Sequence, residues 1–476
     1  MSTFPEKEMK KLKTEWTVSF GIIIAIALAG ILIPAQAPRV ESGSVVAGDV
    51  AWMLTATALV LLMTPGLSFF YGGMVQRKNV ISTMLQSFIS MGVLSLLWIV
   101  VGFSLAFGDS IGGVVGNPFT YFMFRGVGAA TNPDLSPTIP LALFAMFQLK
   151  FAIITPALIT GSFAERVRFS SYILFITLFA LFIYCPLAHW TWHPHGFLRQ
   201  WGVLDFAGGT VVHMSAGFAA LAGAMVLGRR KACESSEPHL PANIPFVLLG
   251  TGMLWFGWFG FNAGSALAAN ATAVSAFITT NAASAAAMLA WVFFDTVRGR
   301  RPSALGACVG AVVGLVAITP AAGYVTVGAS IAIGVGASLI SNLAVHWKSK
   351  SQLDDTLDVF PCHGVGGIVG MVATGIFADK VGLIHGDSTV FLRHLAALLI
   401  VGVYTFGGSY IIYKVTDRLI TLRVRPEQED IGLDLSQHGE TIFKALPSRR
   451  ARPAPGDIGI RPENEPPDEE MVPELA

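Results

Sequence analysis

Apolar runs of about twenty residues follow one another along this chain from near Ala51 to near Tyr413, and about eleven are long enough to cross a bilayer. Inside a hydrocarbon layer every backbone N–H and C=O must be paired within the protein, so continuous runs of this length fold as helices. The chain is 53% hydrophobic and only 13% charged, which excludes an ordinary soluble enzyme. A net charge of +1 offers no field to attract a nucleic acid. Cys185, Cys233, Cys308 and Cys362 are scattered and match no metal or disulfide spacing, so neither a metal centre nor a cofactor is expected. The expectation is an all-α polytopic membrane protein whose main surrounding is the lipid bilayer.

The two ends read differently from the middle. Lys7, Lys10, Lys11 and Lys13 precede the apolar core "SFGIIIAIALAGILI" and then "PAQA", the layout of a signal peptide cut after Ala37. The alternative is an uncleaved anchor helix, which leaves the later spans oriented the same way. Alternate loops carry Arg77 and Lys78; Arg166 and Arg168; Arg229, Arg230 and Lys231; Arg298, Arg300 and Arg301; and Lys348 and Lys350. The intervening loops hold little beyond Arg125, Arg199 and Lys380. The basic set belongs on the cytoplasmic side of a cell membrane, with the mature N-terminus outside and the C-terminus inside. The sequence thus divides into a signal peptide (1–37), a transmembrane domain (38–420), a cytoplasmic regulatory tail (421–446) and a disordered Pro-, Arg- and Glu-rich end (447–476).

Of ten histidines, only His213 and His363 lie inside apolar runs. His213 begins "HMSAGFAA" and His363 begins "HGVGGIVG", and each has an aspartate eight residues upstream, Asp205 and Asp355. This weak repeat fits a chain built as two five-helix halves plus one extra helix. The span after Asp205 starts outside and the span after Asp355 starts in the cytoplasm, so the halves are inverted. Eight residues at ~1.5 Å each put both histidines ~12 Å deep, near the middle of a ~30 Å layer. Small residues one turn further along let the two helices approach. An imidazole in that position is costly to bury and points to function.

At this point "DFAGGTVVHMSAG", "GSFAERVRF", "WFGFNAGSA", "LGA…GLVAITPAAGYV" and "DVFPCHGVGGIVG" together resemble the ammonium transporter and Rhesus glycoprotein family, nearer its microbial ammonium transporters. The likeness runs in order from about Ala51 to His438 and includes the tail motif "GLDLSQHGE". It implies a transporter or channel for ammonium and ammonia, not an enzyme. It also implies a homotrimer of eleven-helix protomers with one narrow pore in each, and cytoplasmic P-II-type proteins that plug the pore from inside. Carried over by motif, the outer recruitment site is Phe151, Trp192 and Ser265. Phe147 and Phe261 form a stacked gate beneath it, His213 and His363 are the twin histidines of the pore, and Asp205 stands near the outer site. The pairs Phe147/Phe151 and Phe261/Ser265 are each four residues apart and share a helix face. Aromatic faces with a hydroxyl acceptor suit an ammonium ion, through cation–π attraction and one hydrogen bond.

Asp205 sits two turns from His213 and off its face, so it reads first as a helix cap accepting from Ala207 or Gly208, and second as an electrostatic pull on a cation. Two features depart from the family. "TWHPHGF" replaces the usual glycine run after Trp192, and Lys150 stands beside Phe151 where an uncharged residue is expected. Lys150 either snorkels to the outer headgroups or vestibule or acts as a modulator that repels a second cation at the gate. Two rival readings remain. One is an ammonium sensor on the same fold with low transport; the other is a membrane redox protein with His213 and His363 as axial haem ligands.

Overall fold

The computed structural model describes residues 6–33, 45–234 and 240–442. The expected cut after Ala37 and the end segment 447–476 lie outside these residues. Among the described residues, ten helices have the length and apolarity to span a membrane, and an eleventh, Ala304–Ile318, is shorter. In chain order the spans are Ala47–Met74, Arg77–Phe107, Leu141–Phe163, Phe169–Gln200, Gly209–Leu227, Ile244–Gly264, Ala271–Val297, Ala304–Ile318, Val327–Ser349, Phe360–Phe377 and Thr389–Leu419. They are called the first to eleventh spans below. An additional helix, Glu6–Leu32, lies along the bundle, with Trp16 stacked on Phe169 at one end and Gly30 beside Met123 at the other.

The inverted repeat is visible in how equivalent spans pack. The first and sixth spans run antiparallel along a glycine seam. A Cβ on Gly250 would fall 2.3 Å from the Phe70 nitrogen, one on Gly66 2.9 Å from Met253 Cβ, and one on Gly257 2.3 Å from Met63. The fifth and tenth spans cross in the same manner. A Cβ on Gly217 would lie 2.2 Å from the Gly364 nitrogen, and one on Gly367 3.0 Å from the Gly209 carbonyl oxygen. Lipid tails give helices no hydrophobic reason to associate, so contacts between bare backbones carry the packing. The third span is the most enclosed of all, with nearly every residue from Leu141 to Phe163 buried. It forms the axis around which the aromatic residues gather.

The bundle has two chemically distinct ends. One carries Asp205 and the loops before the third span. The other carries Arg166, Arg230 and the C-terminal segment, which folds back onto the second span. There Leu433 N–H donates to Asn79 Oδ1 at 2.8 Å, Ser82 N–H to Asp434 Oδ1 at 2.8 Å, and Lys78 Nζ to the Glu429 carbonyl at 3.0 Å. Arg423 ties this segment to the fifth span through the Leu227 carbonyl at 3.0 Å and pairs with Glu429 at 2.8 Å.

Candidate functional site

The fifth and tenth spans open with the same device. Asp205 accepts from the backbone N–H groups of Gly208, Gly209 and Thr210 at 2.8, 2.6 and 2.7 Å, and from the Thr210 hydroxyl. Asp355 accepts from the N–H groups of Val359 and Phe360 at 3.1 and 2.7 Å. The first turns of a helix have unpaired N–H groups, and a carboxylate answers several at once. A left-handed residue precedes each helix, Gly208 at φ 118° and Asp358 at φ 59°. Both helices then begin with a wide π-type turn, Gly209–Met214 and Phe360–Val365, and each turn contains the histidine. Such turns displace a side chain from regular helical spacing, and they cluster at functional sites.

The glycine contact between the two spans brings the histidines together. His213 Nδ1 and His363 Nδ1 are 3.3 Å apart, and the residues are only 1% and 3% exposed. Above them Phe151 and Phe261 are stacked, centroids 4.1 Å apart at 28°, and Phe261 lies 6.1 Å from the His213 ring. The passage lined by Ile154, Leu158, Phe261, His213 and His363 has a volume of only ≈ 10 Å³. That is the space of about one water molecule. A hydrated ion does not fit.

The two phenylalanines of the third span exchange places relative to the sequence expectation. The ring stacked on Phe261 is Phe151, not Phe147. Phe147 meets Phe151 edge-on at 5.0 Å, one turn nearer the Asp205 end, and packs against Gly264. The reason is direction: the third span starts at the Asp205 end, so its earlier phenylalanine is the shallower one. Trp192 is held despite the altered loop after it, because its Nε1–H donates to the Asp205 carbonyl oxygen at 3.1 Å. Its ring stands edge-on to Phe151 at 5.7 Å. Ser265 is half-buried and donates to the Phe261 carbonyl at 2.8 Å, which leaves its lone pairs open. Phe147, Trp192 and Ser265 therefore mark the shallow side of the stacked pair.

Lys150 does not line the histidine passage, and it does not reach far into solvent either, being 8% exposed. Its amine has no hydrogen-bond or ion-pair acceptor among the described residues. The haem reading fails on geometry. Ring nitrogens 3.3 Å apart across touching glycine backbones leave no room for a macrocycle between them.

Two residues of the site were missed by sequence reasoning. Trp258 stacks on the His213 ring at 5.4 Å and 20°. Thr319 Oγ1 lies 3.3 Å from His213 Nε2 and accepts from Trp258 Nε1–H at 2.9 Å. Both sit inside quoted motifs, "WFGFNAGSA" and "GLVAITPAAGYV", but neither has a titratable group to draw attention.

The opposite end also held a surprise, since its basic residues are not only topological charges. Arg230 pairs with Glu165 at 2.8 Å and with Asp354 at 2.9 Å, all nearly buried, and Arg166, fully buried, donates to the Asp354 carbonyl and to Thr356 Oγ1. Burial alone would raise the Asp354 carboxyl, but Arg230 and Arg166 hold it well below the usual carboxylate range. Burial lowers Arg166 to about 10 despite Asp354. Burial likewise pushes Asp355 up to about 6, with Lys348 only partly opposing it.

The fold and these motifs agree with known proteins. The profile of the Ammonium Transporter Family matches residues 51–443. The chain belongs to this family. It is 46% identical over 407 residues to a putative ammonium transporter of Methanothermobacter thermautotrophicus, covering 83% of this chain and 98% of that protein. It is 44% identical over 411 residues to an ammonium transporter of Bacillus subtilis, with 83% and 98% covered. Among solved structures, Saccharomyces cerevisiae Mep2 superposes with a TM-score of 0.78 at 32% identity, over 87% of this chain and 98% of that one. A sensor Amt protein gives 0.76 at 30% identity, over 82% and 98%. Family membership makes the chain a multi-pass membrane protein.

Proposed function

We propose that this protein conducts ammonia across a cell membrane by recruiting ammonium among Phe147, Trp192 and Ser265, transferring its proton to His213 and His363 as it passes between Phe151 and Phe261, and conducting the neutral molecule onward. The contact of two imidazoles at 3.3 Å beneath a stacked aromatic pair carries this reading. Moving a bare cation into such a passage is prohibitive, because idealised desolvation of an ion costs ~20 kcal/mol. Desolvation also favours the neutral form of an amine. Ammonium escapes the penalty by losing a proton: one N–H bond breaks, its electron pair stays on nitrogen, and the imidazole pair accepts the proton. Potassium has no proton to lose, so the same constriction rejects it.

The basic end faces the cytoplasm in this reading, and the Asp205 end receives ammonium from outside. The chain assembles as a homotrimer with one pore per protomer. The segment 421–446 regulates the inner mouth, where a P-II-type protein docks. The likeness to a sensor Amt protein supports a second reading, an ammonium sensor with low flux. Proteoliposomes given an ammonium jump, with current and internal pH recorded together, separate the two. Conduction predicts a rapid pH change absent with potassium; a folded protein that gives neither signal is the sensor.

A further inference from the structure

The hydrogen bonds around Thr319 leave one consistent arrangement of protons at the histidine pair. Thr319 directly follows the eighth span and is fully buried. Its hydroxyl has one proton and two lone pairs. Oγ1 lies 2.7 Å from the Leu315 carbonyl oxygen, which can only accept, so the single proton is committed there. The Trp258 indole N–H can only donate, and at 2.9 Å it takes one lone pair. His213 Nε2 stands 3.3 Å from the same oxygen and meets the other lone pair. The imidazole must therefore supply the hydrogen. A neutral imidazole carries a single N–H, so His213 Nδ1 is bare. The 3.3 Å contact between the two Nδ1 atoms then requires the hydrogen on His363 Nδ1. His363 Nε2 is then bare as well, and unlike His213 Nδ1 it has no hydrogen-bond donor facing it among the described residues.

We propose that Thr319, held by Leu315 and Trp258, is a positioning residue that fixes these two tautomers and leaves His363 Nε2 as the pair's open proton acceptor. The proposal rests on the twin-histidine reading above. Stacking of Trp258 on the His213 ring keeps Nε2 directed at Thr319. When ammonium gives up a proton, the new N–H forms at His363 Nε2 and ammonia keeps the electron pair. The hydrogen on His363 Nδ1 can then cross to His213 Nδ1, which moves the positive charge to His213 and leaves His363 neutral. Two half-sites with matched backbones thus have opposite starting roles: His363 accepts, and His213 is occupied as a donor.

The test is solid-state NMR on 15N-histidine-labelled protein in liposomes, with the pair assigned through its Nδ1–Nδ1 contact. The wild type should show His213 protonated at Nε2 and His363 at Nδ1. Thr319→Val keeps the branched shape and removes the hydroxyl; it should mix the tautomers and lower ammonium flux about fivefold, the worth of one ordinary hydrogen bond. Thr319→Ser should restore both signals. A wild-type His213 bare at Nε2, or unchanged nitrogens in Thr319→Val, overturns the proposal. The wild-type spectrum decides the tautomers even where the valine variant fails to fold. Ammonium flux indifferent to His213→Ala and His363→Ala would instead overturn the transport reading and leave the tautomers standing.

Discussion

Asp205 and Asp355 start the same backbone motif from opposite ends of the molecule, yet different chemistry supports them. Asp205 is surrounded by neutral donors, three backbone N–H groups and the Thr210 hydroxyl. Asp355 caps with two N–H groups and stands beside charges: Lys348 donates to its carbonyl at 2.8 Å and pairs with Asp358 at 2.7 Å, with Asp354 and Arg230 adjacent. The fold repeats the geometry that positions a histidine and leaves each end free to serve its own surroundings. At the Asp205 end that means aromatic rings. At the other it means buried ion pairs and a docked C-terminal segment.

The largest test of this contrast is Arg230→Met. It strands Glu165 as a buried carboxylate without its ion-pair partner and leaves Asp354 only the longer contact to Arg166, a loss of about 3–5 kcal/mol. Thermal unfolding in detergent should show a lower transition, and a wild-type transition would mean that the charged end is not held by this network. Next comes the pair Asp205→Ala and Asp355→Ala. The first leaves three buried N–H groups unanswered at about 1 kcal/mol or more each. The second strands only two and also relieves a carboxyl that burial has raised to about 6, so it should cost less. Equal losses would erase the distinction between the two ends.

At the charged end the neighbouring carboxylates Asp355 and Asp354 give opposite pH dependences. Asp355, raised in the folded state, contributes fully below the unfolded carboxylate value of about 4, and that contribution is lost as pH climbs through about 6. Asp354, held low, contributes above the unfolded value and loses that contribution as acid drops below it. Melting curves of Asp355→Asn should lack the decline between about pH 4 and 6 that the wild type shows.

At the aromatic end, Trp192→Leu removes one cation–π face worth about 2 kcal/mol, or about thirtyfold in apparent ammonium affinity. Unchanged affinity would move recruitment away from Phe147, Trp192 and Ser265. The smallest effect belongs to Lys150→Met. Because Lys150 lies outside the histidine passage, ammonium affinity should stay within about threefold of wild type, against the more than hundredfold expected for a cation at the gate. The variant should also be no less stable, since it removes an amine that has no acceptor among the described residues from a residue that is otherwise nearly buried.

Much of this architecture was legible from spacing. The apolar runs marked the spans, and the eight-residue interval from Asp205 to His213 and from Asp355 to His363 marked the inverted halves. That interval also foretold the meeting of the rings, because equal depth from opposite faces leaves only one level at which they can meet. What spacing did not carry was order along a line. Phe147 and Phe151 share a face, and motif likeness alone set them in the wrong sequence, although the direction of their span would have corrected it. Thr319 and Trp258 were hidden because a hydroxyl and an indole inside apolar motifs look like packing until their hydrogen bonds are counted. The burial of Arg166 and Arg230 was hidden because the positive-inside rule treats loop charges as solvated.

The central claim is that the joined histidines make the passage selective for a molecule that sheds its proton. It is tested most directly by the ratio of ammonium to potassium flux in proteoliposomes containing wild type or His213→Asp. The wild type should pass ammonium and exclude potassium, whereas the aspartate favours an ion that keeps its charge, so potassium conduction should appear. An aspartate variant that excludes potassium as completely as the wild type, at an unchanged ammonium rate, would contradict the account.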